Sequence, residues 1–279
     1  MKIECLKDKF SWAITRSEKV TGKNMTLPVL SCLLLEASKN NLVIKATNLD
    51  LGIEINIPVK TEKEGVVAVP GNVLSNFISN INGDKNVKME FVDGNLLINT
   101  GSTSTTIKSY PHEDFPTIPK ISEEKSFKIN SLEFSKGLKS VWYSSAISSM
   151  KPELSSIYIY QDDSSGDIVF VATDSFRLAE KRIKTKKPLK DFNQILIPFK
   201  NVAEIIRILD DVKDEVLVCL DKNQISFSHE NIYLTSRVID GVFPDYKQII
   251  PKEFKTEVIL LKQDLLNSLK VANIFSDNF

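Results

Sequence analysis

The chain has 279 residues, with 36 Lys+Arg against 36 Asp+Glu and a formal net charge of zero. At roughly 100–200 residues per domain, about two domains are expected. A 42% hydrophobic and 26% charged composition excludes disorder as the main state. No apolar run approaches the roughly 20 residues of a membrane span. Charges at Lys2, Glu4, Lys7 and Asp8 fall where a signal peptide is apolar, so a cytoplasmic protein is expected. Charge neutrality excludes a simple basic nucleic-acid binder, but not a chain that sorts its charges onto different faces. Cys5, Cys32 and Cys219 are far apart and lie in apolar stretches. Buried reduced thiols are expected rather than a disulfide or zinc site.

In chain order, a strand is predicted at 3–6. A helix capped by Asp8 follows, running to about Val20. Phe10, Ala13, Ile14 and Ser17 share one face of it; Lys9, Trp12, Arg16 and Lys19 share another. Strands are predicted at 30–36, 41–47 and 51–59, the last alternating through Ile53, Ile55 and Ile57. A helix at 72–81 sets Val73, Leu74, Phe77, Ile78 and Ile81 inward and Ser75, Asn76, Ser79 and Asn80 outward. Residues 87–100 read as a hairpin around Asp93-Gly94, a pair suited to the positive-φ turn. One more strand is expected at 104–110.

The same order then recurs. Phe115-Pro116 and Phe243-Pro244 lie 128 residues apart (243 less 115). Ala46-Thr47-Asn48 matches Ala172-Thr173-Asp174 at 126, Val69-Pro70 matches Ile197-Pro198 at 128, and 87–91 matches 216–220 at 129. Two copies are expected, 1–120 and 121–252, and 253–279 reads as the start of a third. In the second copy, Phe134, Leu138 and Val141 face inward, opposite Lys136, Lys139, Ser140 and Tyr143. Val202, Ile206 and Leu209 do so in its later helix, with Lys200, Glu204 and Arg207 outside. Each copy is thus an α+β domain with two helices packed on antiparallel sheets.

Two readings of the outer helix faces stand. They are ordinary solvated faces, or a surface that meets phosphates through Lys, Arg, Ser and Asn without reading bases. In the second case, acids in loops and strand edges restore neutrality, Asp162-Asp163, Asp210-Asp211, Asp214-Glu215 and Glu123-Glu124 among them. Phosphate-loop, dinucleotide, nucleophile-elbow and zinc-protease motifs are absent from the sequence. His112 and His229 read as surface residues. Asp50 and Asp174 lie in equivalent loops and read as turn caps rather than an acid/base pair. No metal and no cofactor is expected.

Leu27-Pro28-Val29-Leu30, the segment from Ala172 to Ala179, and Phe243-Pro244-Asp245-Tyr246 resemble the bacterial β sliding clamp family, the β subunit of DNA polymerase III. The resemblance runs over the whole chain in order. It implies tandem DNA-clamp domains and a non-catalytic processivity factor. Two chains would close head-to-tail into a six-domain ring around duplex DNA, with helices lining the hole. Partners would be duplex DNA without sequence preference, and the replicative polymerase, clamp loader and repair polymerases through short clamp-binding peptides. The implied peptide groove comprises Leu154, Thr173, Ser175, Phe176, Arg177 and Leu178 with Pro244, Gln248 and Ile249. The family tends to have Gly-His where Ser175-Phe176 stands and a basic residue at Gln248. The implied DNA-facing residues are Lys23, Asn24, Lys136, Lys139, Ser149, Lys151, Lys200 and Arg207. Thr105, Ile107 and Phe77 would form a dimer edge toward a partner's third domain, and with the third copy incomplete no ring closure is expected. Two further readings remain at this point: a peptide-binding module that never encircles DNA, and an enzyme using Asp50 or Asp174.

Overall fold

The computed structural model describes residues 1–22, 27–81, 83, 85–101, 103–148, 150–185, 192 and 194–276. The first copy runs β1 (Lys2–Leu6), α1 (Lys7–Glu18), β2 (Cys32–Ser38), β3 (Asn41–Thr47), β4 (Leu51–Pro58), β5 (Lys60–Lys63), β6 (Gly65–Pro70), α2 (Gly71–Asn80), β7 (Asn86–Val92), β8 (Asn95–Asn99) and β9 (Ser104–Lys108). The second runs β10 (Ser126–Asn130), α3 (Ser131–Val141), β11 (Ser156–Gln161), β12 (Ile168–Thr173), β13 (Leu178–Ile183), β14 (Ile195–Pro198), α4 (Phe199–Asp211), β15 (Glu215–Leu220), β16 (Gln224–His229) and β17 (Ile232–Arg237). Apart from β5, the two copies correspond element for element. Residues Met1–Phe243 form one compact unit; Pro244–Phe279 form a second, which carries α5 (Lys262–Asn273).

Burial sets the helix orientations. Phe10, Ala13, Ile14 and Ser17 are all fully buried, as their spacing predicts. Phe134, Leu138 and Val141 are buried in α3, and Val202, Ile205, Ile206 and Leu209 in α4. The Asp93-Gly94 turn has φ of 48° and 76°, so the expected hairpin forms.

Several local expectations are corrected. Asp8 caps nothing: α1 begins at Lys7, and Asp8 sits in its first turn, where a carboxylate still favours the positive helix end. Pro28 opens a short 3-10 turn over Pro28–Ser31 and delays β2 to Cys32. Val73 is 46% exposed and Ser75 buried, the reverse of their expected sides. Asp210 and Asp211 are the last residues of α4, not loop residues. In the segment read as the start of a third copy, residues 258–261, which align with β10, form no strand.

Among the described residues the strands form three antiparallel sheets. β5-β1-β7-β8-β9 belongs to the first copy and β13-β12-β11-β14 to the second. The third, β10-β15-β16-β17-β4-β3-β2-β6, is shared. Its centre is a seam between the copies: Ile232 pairs with Ile55, Tyr233 with Glu54, Leu234 with Ile53, Thr235 with Gly52 and Ser236 with Leu51.

Cys5, Cys32 and Cys219 are free and buried, as expected. Burial pushes the Cys5 thiol up to about 12 and the Cys32 thiol up to about 11. Thiolate is therefore scarce at neutral pH. The native chain should stay unlabelled by iodoacetamide at pH 8, and the chain in denaturant should take three labels by mass spectrometry. Rapid native labelling of Cys5 would contradict the burial.

Candidate functional site

The turn between β12 and β13 is built by its own side chains. The Asp174 carboxylate accepts the backbone N–H groups of Phe176 (3.0 Å) and Arg177 (2.9 Å). The Thr173 hydroxyl donates to the Arg177 carbonyl at 2.7 Å and accepts the Ser175 N–H at 3.2 Å. Ser175 takes the left-handed conformation, with φ 77°. The Arg177 N–H, with that of Phe176 and the Arg177 guanidinium at 2.9 Å, holds the Asp174 carboxyl below the usual carboxylate range.

The first copy repeats this turn. Asn48 takes the part of Asp174, accepting the N–H groups of Asp50 and Leu51, and Thr47 takes the part of Thr173. Leu49 matches Ser175 with φ 76°. The positional counterpart of Asp174 is thus Asn48, and that of Asp50 is Phe176. Both acids serve turns or ion pairs, and no acid/base pair forms between them.

The two turns differ in surroundings. At the first, Asp50 meets the Lys200 ammonium and lies 3.9 Å from Arg237, and its carbonyl accepts the Arg237 N–H at 2.8 Å. At the second, Phe176 is 98% exposed, Ser175 and Arg177 are exposed and Leu178 is half-buried. Leu154 and Thr173 lie beneath, buried. Pro244, Gln248 and Ile249 belong to the second unit, where the Gln248 amide donates to Asp245 at 2.8 Å and Ile249 is exposed.

On the helices, Lys136, Lys139, Lys200 and Arg207 are exposed, as is Lys151 on the segment after α3. Three of these cations already have acids. Lys139 holds Asp210 at 2.6 Å, Arg207 holds Glu204 at 3.1 Å, and Lys200 holds Asp50. Burial opposes ionisation of Asp210, but hydrogen bonds from Lys139 and Ser135 outweigh it and hold its carboxyl below the usual range. Lys136 and Lys151 make no salt bridge among the described residues. Lys23, Asn24 and Ser149 lie outside the described residues. The sequence reading missed a pair that ties the copies together: Arg16 of α1 bonds Asp211 of α4 and stacks 4.6 Å over Trp12. Its signal was the placing of Trp12 and Arg16 on one helix face.

Among the described residues no group of three His, Cys, Asp or Glu could hold a metal ion. Thr105 and Ile107 lie on β9, which ends its sheet, and Phe77 is half-buried on α2.

Two family models match: the N-terminal domain of the DNA polymerase III beta subunit over residues 1–119, and its central domain over 128–245. The chain belongs to the beta sliding clamp family. The sliding clamp of Synechococcus elongatus is 25% identical over 286 residues, covering 99% of this chain and 75% of that protein. That of Bacillus subtilis is 24% identical with the same coverage. A solved sliding clamp of Bartonella birtlesii bound to griselimycin superposes with a TM-score of 0.92 at 25% identity, covering 100% of this chain and 75% of that one. The beta subunit of Thermotoga maritima gives 0.87 at 26%, covering 98% and 74%. The chain therefore spans about three quarters of the length of these sliding clamps. Its fold and function are those of a DNA sliding clamp, a non-catalytic accessory of the polymerase and not an enzyme.

Proposed function

We propose that this sliding clamp holds duplex DNA through the outer faces of α1–α4, with clamp domains at 1–120 and 121–252 and the beginning of a third at 253–279. The observation that carries this reading is the β17–β4 seam. It joins the two copies edge to edge in one sheet, while Arg16 and Asp211 tie α1 to α4. Lys23, Asn24, Lys136, Lys139, Ser149, Lys151, Lys200 and Arg207 are the DNA-facing set. Their contacts are few and diffuse, which suits a collar that must move: each fixed phosphate contact adds affinity and salt dependence. The acids beside Lys139, Lys200 and Arg207 weaken those contacts further.

The 173–178 turn, with Leu154 beneath it, receives the clamp-binding peptides of the polymerase, clamp loader and repair polymerases. An exposed aromatic beside a positioned guanidinium suits an apolar anchor with a polar end. The solved relative captured with griselimycin supports a ligand-receiving surface. Thr105, Ile107 and Phe77 form the edge that meets a second copy, and the protein works in the cytoplasm at the nucleoid.

The test is retention. Joined to a complete third clamp domain, the chain loaded on nicked circular duplex should stay bound through gel filtration and be released when the circle is cut. Equal retention on linear DNA would refute encirclement. Arg177→Ala or Leu178→Ala should weaken a fluorescent clamp-binding peptide by about tenfold, the scale of one interface anchor. Unchanged peptide affinity would remove the groove reading.

A further inference from the structure

The segment that joins the two copies is fastened along its length. A connector between domains ordinarily runs exposed and makes few contacts. Here residues 109–125 link β9 to β10, and both ends are held. The Tyr110 N–H donates to the Ala68 carbonyl at 2.9 Å, and Phe115 packs on the buried cluster of Val29, Cys32, Leu34 and Ala68. At the far end the Lys125 carbonyl accepts the Leu220 N–H at 3.0 Å. Between these anchors the chain crosses the seam. We propose that residues 118–121 are a strap that fixes the angle between the two copies from the outer side of their shared sheet. It acts on the seam alone and needs neither DNA nor a bound peptide.

Four consecutive residues make the attachment. Ile53 and Leu234 fill the core on the helix side of the seam, so alternation puts Gly52, Glu54, Tyr233 and Thr235 on the other side. Ile118 is buried there, over the Gly52–Thr235 pair. A Cβ at Gly52 would stand 3.0 Å from Ile118 and 3.2 Å from Thr235, so glycine makes the room. The Tyr233 hydroxyl then uses both its hydrogen-bonding roles on the strap. It donates to the Pro119 carbonyl at 2.8 Å and accepts the Ile121 N–H at 3.1 Å. Lys120, between them, lies 3.7 Å over the Tyr233 ring and bonds the Glu54 carboxylate. Tyr233 belongs to the second copy, and Glu54, its partner across the seam, to the first. One ammonium thus grips both copies.

The backbone ladder does not fix that angle by itself. Neighbouring strands tolerate twists from about −10° to −35°. Arg16 and Asp211 tie α1 to α4 on the helix side, so they resist motion that spreads the helices. The strap resists the opposite motion. Spreading the outer side would lift Ile118 from Gly52, strip the Tyr233 hydroxyl of both partners and pull Lys120 from one copy or the other. With fasteners on both sides, the seam holds one angle rather than hinging freely.

The test uses the 279-residue chain with nitroxide labels on Ser38→Cys and Lys128→Cys. Both positions are exposed, one in each copy on the shared sheet, and the native cysteines are buried and stay unlabelled. Pulsed electron resonance should give one narrow distribution of distances between the labels. Tyr233→Phe keeps the ring and removes both hydroxyl bonds. It should broaden the distribution and speed tryptic cleavage after Lys120 by about tenfold, the scale of two lost hydrogen bonds. The amides of Asn56 and Arg237, which donate across the seam, should keep their protection from exchange. Should Tyr233→Phe fail to fold, Lys120→Gln, a change at an exposed side chain, replaces it in the distance measurement and should also broaden the distribution. An unchanged distribution overturns the strap, whatever the cleavage rate. So does broadening with rapid exchange at Asn56 and Arg237, which would mean that the ladder itself had opened.

Discussion

Phe134→Ala should lower the stability of the second copy by about 3–5 kcal/mol, the usual cost of deleting a buried aromatic side chain. Phe134 is fully buried on α3, with its ring 5.1 Å from that of Phe170 on β12 and 5.4 Å from that of Phe227 on β16. It therefore joins the two sheets that the second copy contributes to, and both ring contacts are edge-on, the arrangement aromatic quadrupoles favour. The hole left by truncation cannot collapse easily. One turn on, Gly137 lets the helix approach so closely that a Cβ there would stand 2.5 Å from the Phe170 ring. The ring is wedged from that side and has little room to follow. Gly137→Ala should be destabilising too, by overpacking instead of by a cavity, typically about 1–3 kcal/mol. Urea denaturation followed by circular dichroism measures both. A loss below about 1 kcal/mol for Phe134→Ala would show that the sheets repack around the hole.

Much of this arrangement could be read from the chain, because each copy must bury its own helices. Periodicity placed Phe10, Ala13 and Ile14, and later Phe134, Leu138 and Val141, on the faces that are buried. The α+β class, the Asp93-Gly94 hairpin and the repeat were legible for the same reason: local patterns answer to local constraints. Local competition explains the misses. Asp8 has the chemistry of a cap, but the chain enters α1 directly from β1 and leaves no residue free to cap. Pro28 supplies a pre-set φ that a 3-10 turn uses before β2 can start. The neutral charge was read as basic helices balanced by acidic loops. Instead Asp210, Asp211 and Glu204 sit on α4 beside the cations they neutralise. The seam was out of reach altogether. A period of two marks 51–59 as a strand with one buried face, but says nothing about which strand meets its edge, and Leu234 pairs with a residue far back in the sequence. The exchange of Asp50 for Phe176 between matching turns was visible, and it acquires meaning only once Lys200 and Arg237 are seen around Asp50.

Leu234→Ala should cost about 2–5 kcal/mol and, unlike Phe134→Ala, should loosen the connection between the copies. Leu234 is fully buried on β17, opposite Phe227 on one side and Ile53 across the seam on the other. Its side chain thus belongs to a core that neither copy owns alone. Around it the seam is mixed: Ile232 faces Ile55, Thr235 faces Gly52, Ser236 faces Leu51, and Asp50 meets Lys200 at its exposed end. That ion pair is solvent-accessible, so Asp50→Ala should cost no more than about 1 kcal/mol. The contrast between the two variants tests where the seam gets its strength. Hydrogen exchange reads it locally, since the amides of Asn56 and Arg237 donate across the seam to Asn231 and Asp50. In Leu234→Ala they should exchange faster than amides of the β7–β8 hairpin, which lies in another sheet. Uniform acceleration everywhere would mean that the two copies unfold as one and that the seam is no weaker than the cores it joins. A selective effect would make the seam the hinge of the clamp, and it would place the residue that secures it on the far side of the chain from the strand it secures.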